Sequence, residues 1–299
     1  MSEVRIRPRQ VLMLIIAFLV ILLMVHRNGK HNCQSLNIFK SQPVIYAITP
    51  TYARPAQKAE LTRLSHVFML VPNLYWIIIE DANKTSELVK NLLTRAELDK
   101  RSIQLNVKTP PAFKLHDKDP NWIKPRGVEQ RNMALSWIRS NANPSEHSIV
   151  FFMDDDNAYS LELFREMAKI ERGHVGVWPV GLVGGLMVER PLLNEYKTEV
   201  IGFNAAWRPE RPFPIDMAGF AIATDLFFNN PNAGFSYEVQ RGYQESEILR
   251  HFTTLKDLQP LANKCQDVLV WHTRTEKTKL THEEALNKKG KHSDAGMEV

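Results

Sequence analysis

The segment Ile149-Val150-Phe151-Phe152-Met153-Asp154-Asp155-Asp156-Asn157 constrains this chain most: five apolar residues run directly into three consecutive carboxylates. Such a run reads as a strand buried on both faces. Three adjacent negative charges repel one another, and such a cluster is tolerated where water or a cation relieves the repulsion. In open α/β sheets ligands gather beyond the carboxyl ends of the strands, where these aspartates stand. The strand is therefore expected to be a pedestal for a metal-bound phosphate, with a hard divalent cation as its partner. The competing reading is an acidic surface turn, since Asp and Asn are ordinary turn residues.

The rest of the chain supplies the sheet that such a pedestal needs. Val44-Ile48, Trp76-Ile79, Ile103-Val107, Val175-Trp178 and Val268-Trp271 are further apolar runs that read as buried strands. Helical patterns fall between them, around 56–70, 84–98, 127–141 and 160–171. The alternation predicts an α/β fold, a mostly parallel sheet with helices on both faces. After Gly181 the pattern changes. Residues 204–217 carry three prolines and two large aromatics, Trp207 and Phe213, in neither a helical nor a strand period. An irregular stretch of that length in a compact domain is usually functional. Two lobes, over 43–180 and 181–299, are the expected organisation.

The N-terminus is of another kind. Val11 to Val25 is unbroken apolar sequence, with Arg5, Arg7 and Arg9 before it and Arg27 and Lys30 after. No small-residue cleavage site follows, so the segment reads as a retained signal-anchor rather than a removed signal peptide. As a helix it would reach ~22 Å, close to the thin bilayers of the early secretory pathway. The charge bias places residues 1–10 in the cytosol, 26–42 in a stem, and the remainder in a secretory lumen. Residues 1–30 hold +4 of the formal net +5, leaving about +1 for the rest. The basic balance is thus an anchor effect, and a nucleic-acid footprint is not expected. Two cysteines, Cys33 and Cys265, exclude a disulfide framework and a multi-cysteine zinc site. Cys33, in the stem, is expected to pair between two subunits.

Several constellations could carry chemistry. His272 and Arg274 lie two apart on an extended run and would project together toward an anion. Arg126 and Arg131 flank a helix start, where guanidiniums suit phosphate or carboxylate. Glu245 opens an apolar-faced helix, a position that the helix dipole alone would favour. Tyr52 ends the first strand, where a nucleobase could stack, and Trp207 and Phe213 are either satellite core or sugar platforms.

In order along the chain, these pieces form long strings: Thr49-Pro50-Thr51-Tyr52-Ala53-Arg54-Pro55, Glu80-Asp81-Ala82, Arg126-Gly127-Val128 with Gln130-Arg131-Asn132, Asp154-Asp155-Asp156-Asn157, Arg211 through Phe220, and Trp271 through Lys277. Over about residues 43–299 they resemble the metal-dependent β-1,3-glucuronyltransferases, the inverting glycosyltransferase family 43 with a GT-A fold. The resemblance implies a Golgi type II membrane enzyme, a homodimer, that uses UDP-glucuronate and Mn²⁺. Tyr52 and Asp81 would hold the uracil, Asp155 the ribose, and Asp156 the Mn²⁺ on the diphosphate. Arg126, Arg131, Asp154 and His272 would surround the glucuronic acid, with Arg241 and Arg274 nearer the phosphates. Glu189, Trp207, Arg211 and Asp216 would receive the acceptor sugar, and Glu245 would be the catalytic base. The C-terminal end is most similar to members acting on the galactose-terminated linkage region of proteoglycan core proteins. In the tail, His282 stands where the family usually has a glutamine that reaches a neighbouring subunit's acceptor. An N-acetyllactosamine acceptor, a lumenal nucleotide-sugar hydrolase or phosphotransferase using the same aspartates, and a non-catalytic lectin-like protein are the competing readings.

Overall fold

Four strands and three helices alternate at the start of the described residues. They are β1 (Val44–Thr51), α1 (Gln57–Leu70), β2 (Leu74–Glu80), α2 (Glu87–Arg95), β3 (Ser102–Asn106), α3 (Val128–Asn141) and β4 (Ser148–Phe152). This computed structural model describes residues 42–114, 124–273, 275–276 and 278–299. The expected cytosolic tail, membrane span 11–25, Cys33 and Arg274 lie outside them. Among the described residues no helix is long and apolar enough to cross a membrane. Residues Pro43–Val299 form one unit by their internal contacts.

Local chemistry accounts for the helix ends. Ser86 caps α2 by accepting from the Val89 amide, and Glu87 and Arg95 complement the two ends of its dipole. Gly127 precedes α3 in the left-handed region, at φ 73°. A side chain at that position would meet the Arg131 guanidinium 2.6 Å from its Cβ.

Downstream come β5 (Ala158–Tyr159), α4 (Leu161–Met167), β6 (Val175–Val177), β7 (Val180–Gly181), β8 (Val188–Leu193), β9 (Val200–Asn204), β10 (Phe220–Ala223), α5 (Asp225–Asn229), α6 (Gln244–Leu249), β11 (Leu258–Pro260), β12 (Val270–Trp271) and α7 (Thr281–Asn287). Seven strands form the main sheet in the order β11-β6-β10-β4-β1-β2-β3. The pairs among β1 to β4, and β6 with β11, are parallel. β10 runs antiparallel to both neighbours, so the sheet is mixed rather than purely parallel. A second sheet has the order β5-β12-β7-β8-β9.

Side chains alternate across a strand, and β4 divides its apolar residues accordingly. Ile149 and Phe151 join the core under α1 and α2, with Leu61, Leu64, Phe68 and Leu92. Val150 and Phe152 join the opposite core under α3, with Leu135 and Ile138. Helices thus cover both faces, and the polar ends of β1, β2 and β4 are left at one rim. Beneath that rim the buried Thr49 hydroxyl accepts from Trp76 Nε1 at 2.9 Å and donates to the Met153 carbonyl at 2.8 Å, linking the three strands. The tail returns to this layer: the Glu298 carboxylate accepts from Asn91 at 2.6 Å and from Arg95 at 3.2 Å.

Candidate active site

Parallel strands end on the same side of their sheet, and register places Thr51 beside Glu80 and Ile48 beside Phe152. Tyr52, Asp81 and Asp154 to Asp156 therefore share one rim. Because β10 is reversed against β4, the residues just before it, including Asp216, arrive at that same rim.

The three aspartates face different partners. Asp154 Oδ1 receives Arg131 Nη2 at 2.7 Å. Asp155 is buried; one oxygen pairs with Arg54 at 2.7 Å and the other accepts from the Thr51 hydroxyl at 2.7 Å. Burial pushes the Asp155 carboxyl up, against the opposing pull of Arg54 and Thr51. Asp156 is half-buried, and burial followed by repulsion from Asp154 and Asp155 raises its pKa. A cation would relieve that cost, so Asp156 has the chemistry of a hard-metal ligand.

Tyr52 is 49% exposed, its ring open at the rim. Asp81 is engaged within the chain: its two oxygens accept from the Thr109 amide at 2.7 Å and hydroxyl at 2.9 Å. It thereby fixes the turn after β3. Arg126 and Arg241 are exposed.

The other wall comes from the irregular segment 204–217 and α6. Arg211 is buried and donates to the carbonyls of Gly242 at 3.0 Å and Trp207 at 3.3 Å. Ser246 receives the Phe213 amide at 3.1 Å and donates to the Phe213 carbonyl at 3.0 Å, tying the segment to the helix. Phe213 is buried in the core, whereas Trp207 keeps 37% exposure, so of the two aromatics only Trp207 offers a surface to a sugar ring. Gly242, at φ 79°, is required there, because a Cβ would fall 1.8 Å from the indole.

Three carboxylates line this wall in different electrostatic states. Glu245 has 18% of its side chain exposed and stands 3.7 Å from Arg211 Nη1. Burial, with repulsion from Asp216, raises its pKa to about 7. Asp216 Oδ2 lies 3.2 Å from His272 Nδ1. Burial pushes Asp216 up, but the hydrogen bond and charge of His272 outweigh it and leave its pKa below the usual carboxylate value. Glu189 points inward from β8 with a pKa raised by burial and by Asp216. Its Oε1 is buried and has no hydrogen-bond partner among the described residues. A carboxyl near 7 on this wall is suited to proton transfer at neutral pH, while Asp216, held below the usual carboxylate value, stays an acceptor.

The structure thus gathers Tyr52, Arg131, Asp154, Asp155, Asp156 and His272 with Glu189, Trp207, Arg211, Asp216 and Glu245. Sequence reasoning assigned no role to Thr51, Arg54 or Thr109, which hold the site's carboxylates. Their signal was position alone, since each stands at or just beyond a strand end. A separate group, Glu283, His292 and Asp294, brings ligand atoms within 4.8 Å of one another on the exposed tail. Its Glu283 already accepts from the Ser293 amide at 3.1 Å.

The sequence profile described as "Glycosyltransferase family 43" matches residues 64–276. The chain is 73% identical over 306 residues to "Galactosylgalactosylxylosylprotein 3-beta-glucuronosyltransferase I" of Drosophila melanogaster, with the full length of both covered. It is 50% identical over 267 residues to "Galactosylgalactosylxylosylprotein 3-beta-glucuronosyltransferase 3" of Mus musculus, covering 86% of this chain and 78% of that one.

Proposed function

The chain belongs to glycosyltransferase family 43, and on that premise we propose that it transfers glucuronic acid from UDP-glucuronate to the 3-hydroxyl of a terminal galactose on the proteoglycan linkage region. The observation that carries the mechanism is Glu245, a carboxyl with its pKa raised to about 7 on the wall facing the aspartate rim. In this reading residues 43–180 form the donor lobe of a GT-A fold and 181–299 the acceptor lobe. The enzyme is a Golgi type II membrane protein and a homodimer, with Cys33 joining the subunits.

The donor lies along the rim. Tyr52 stacks on the uracil, Asp81 helps to hold that base from the turn it fixes after β3, and Asp155 receives the ribose hydroxyls. Arg126, Arg131, Asp154 and His272 surround the glucuronic acid, with Arg241 and Arg274 nearer the phosphates. The donor set fits a divalent ion, since the charge of half-buried Asp156 is opposed by burial and by two neighbouring carboxylates more than His272 and Arg54 offset. When bound there, Mn²⁺ would supply Lewis-acid stabilisation of the departing diphosphate.

The acceptor galactose rests against Trp207, with Arg211, Asp216 and Glu189 as polar contacts. The buried Glu189 Oε1 is an acceptor ready for a sugar hydroxyl. Glu245 takes the proton of the attacking hydroxyl as its oxygen bonds to the anomeric carbon. The bond from that carbon to the diphosphate oxygen breaks, and UDP leaves with the electron pair. One displacement converts the α-linked donor to a β product.

The test is to incubate the full chain with UDP-glucuronate, Mn²⁺ and either a Gal-Gal-Xyl glycoside or N-acetyllactosamine. A β-1,3-glucuronylated linkage product with matching UDP release is expected. UDP release that is equal without any acceptor would support the hydrolase instead, and product on N-acetyllactosamine alone would overturn the acceptor.

A further inference from the structure

We propose that Arg54 is a positioning residue for the donor nucleoside, holding the base platform and the ribose-binding carboxylate in one fixed arrangement. The inference rests on the donor assignment above and goes beyond the contact of Arg54 with Asp155.

Arg54 leaves the end of β1 two residues beyond Tyr52. Its guanidinium carbon lies 4.7 Å from the centre of the Tyr52 ring, over one face. Nη2 reaches Asp155 Oδ1 at 2.7 Å and also bonds Glu60 in α1, while Nη1 donates to the Tyr52 carbonyl at 3.3 Å. Only 14% of the side chain is exposed, so these contacts are shielded from water. The second Asp155 oxygen is fixed by Thr51, whose hydroxyl in turn accepts from Gln57 Nε2 at 3.2 Å. Arg63 of α1 donates to the Asp155 carbonyl at 3.3 Å. Among the described residues, the side-chain hydrogen bonds and ion pair on Asp155 come from α1 and from the end of β1 and the turn after it, and of these partners Arg54 also lies over the Tyr52 ring.

The chemistry of the guanidinium explains why this position needs arginine. Its plane stacks on an aromatic face while its edge donates along fixed directions to carboxylates. With one face of Tyr52 covered, the other is left for a flat base. With both Asp155 oxygens anchored, their remaining lone pairs keep constant directions toward a diol. A lysine would supply charge at one point and could not serve the ring and both carboxylates together.

The test uses the full chain with Arg54→Lys and Arg54→Ala. Initial rates against UDP-glucuronate and acceptor are combined with competition by UDP and by 2′-deoxy-UDP. Loss of a charge-assisted contact on a buried carboxylate predicts a donor KM raised ~10–100-fold in Arg54→Ala. The acceptor KM and kcat are expected to stay within about threefold, and the preference for UDP over 2′-deoxy-UDP to shrink by about tenfold. Arg54→Lys, which keeps the charge that faces Glu60 and Asp155, is expected to fold and still to lose that preference. An unchanged donor KM in Arg54→Ala, or a ribose preference in Arg54→Lys equal to that of the unaltered protein, would overturn the role. Should Arg54→Ala not fold, the lysine variant decides alone. Failure of the unaltered protein to bind UDP at all would instead refute the donor reading.

Discussion

Replacing Glu245 by glutamine tests the proton acceptor through stability as well as rate. In the folded protein the carboxyl holds its proton up to about pH 7, whereas the same group in an unfolded chain releases it near 4.5. Between those values the folded state binds more protons than the unfolded one, so unfolding free energy falls as pH rises through that window. At ~1.36 kcal/mol per pKa unit the two and a half units correspond to a penalty on the order of 3 kcal/mol once pH is well above 7. The shift survives as a stability term because only 18% of the side chain meets solvent. Glutamine keeps the shape and cannot ionise. The variant is therefore expected to match the parent near pH 4.5 and to exceed its stability by roughly 3 kcal/mol near pH 8.5. Urea unfolding at four pH values between these limits measures the difference directly. Turnover of the same variant should fall by ~10²–10⁴, the usual cost of losing a general base. The parent's kcat/KM should rise with pH and level off above about 7, as a base that must be deprotonated requires. A stability difference that does not vary with pH would refute the reasoning, whatever the rates did.

Other outcomes follow from particular contacts. Asp156→Ala should abolish Mn²⁺-dependent UDP binding in calorimetry while the circular dichroism spectrum is retained; unchanged binding would remove Asp156 from the metal. Gly242→Ala places a methyl in the Trp207 indole at a backbone φ of 79°. The acceptor KM should rise by at least ~10-fold with UDP binding intact, since small displacements of a positioning group are costly. An acceptor KM equal to that of the parent would show that Trp207 does not shape the acceptor site.

Much of this architecture was legible in the sequence, and the reason is burial. Strands covered on both faces must be continuously apolar, so β1, β2 and β4 stand out as runs. The helices between them follow from their patterns and spacing. What was not legible depends on partners distant along the chain. β10 is four residues, Phe220-Ala221-Ile222-Ala223, and nothing in so short a run states which way it lies between β4 and β6. In β8 the inward positions are Glu189 and Pro191 while Arg190 faces out, so a strand read by alternating hydrophobicity passes unnoticed. The same inversion sets Glu189 apart, since a buried carboxylate oxygen without a hydrogen-bond partner among the described residues is not explained by packing. Arg54 is silent in the sequence for a related reason: its partner Asp155 lies in the turn beyond another strand, and the pairing of β1 with β4 brings the two strand ends together.

The reversed course of β10 has a consequence for how such enzymes diversify. Were it parallel to β4, the segment preceding it would emerge at the far edge of the sheet, and the acceptor wall could be brought over only by a long excursion. As it stands, residues 204–217 run between two anchored ends, Asn204 in β9 and Phe220 in β10, at the rim that carries the aspartates. Exchange of this one stretch between relatives offers a route to chimeras with altered sugar preference that inherit an untouched nucleotide shelf.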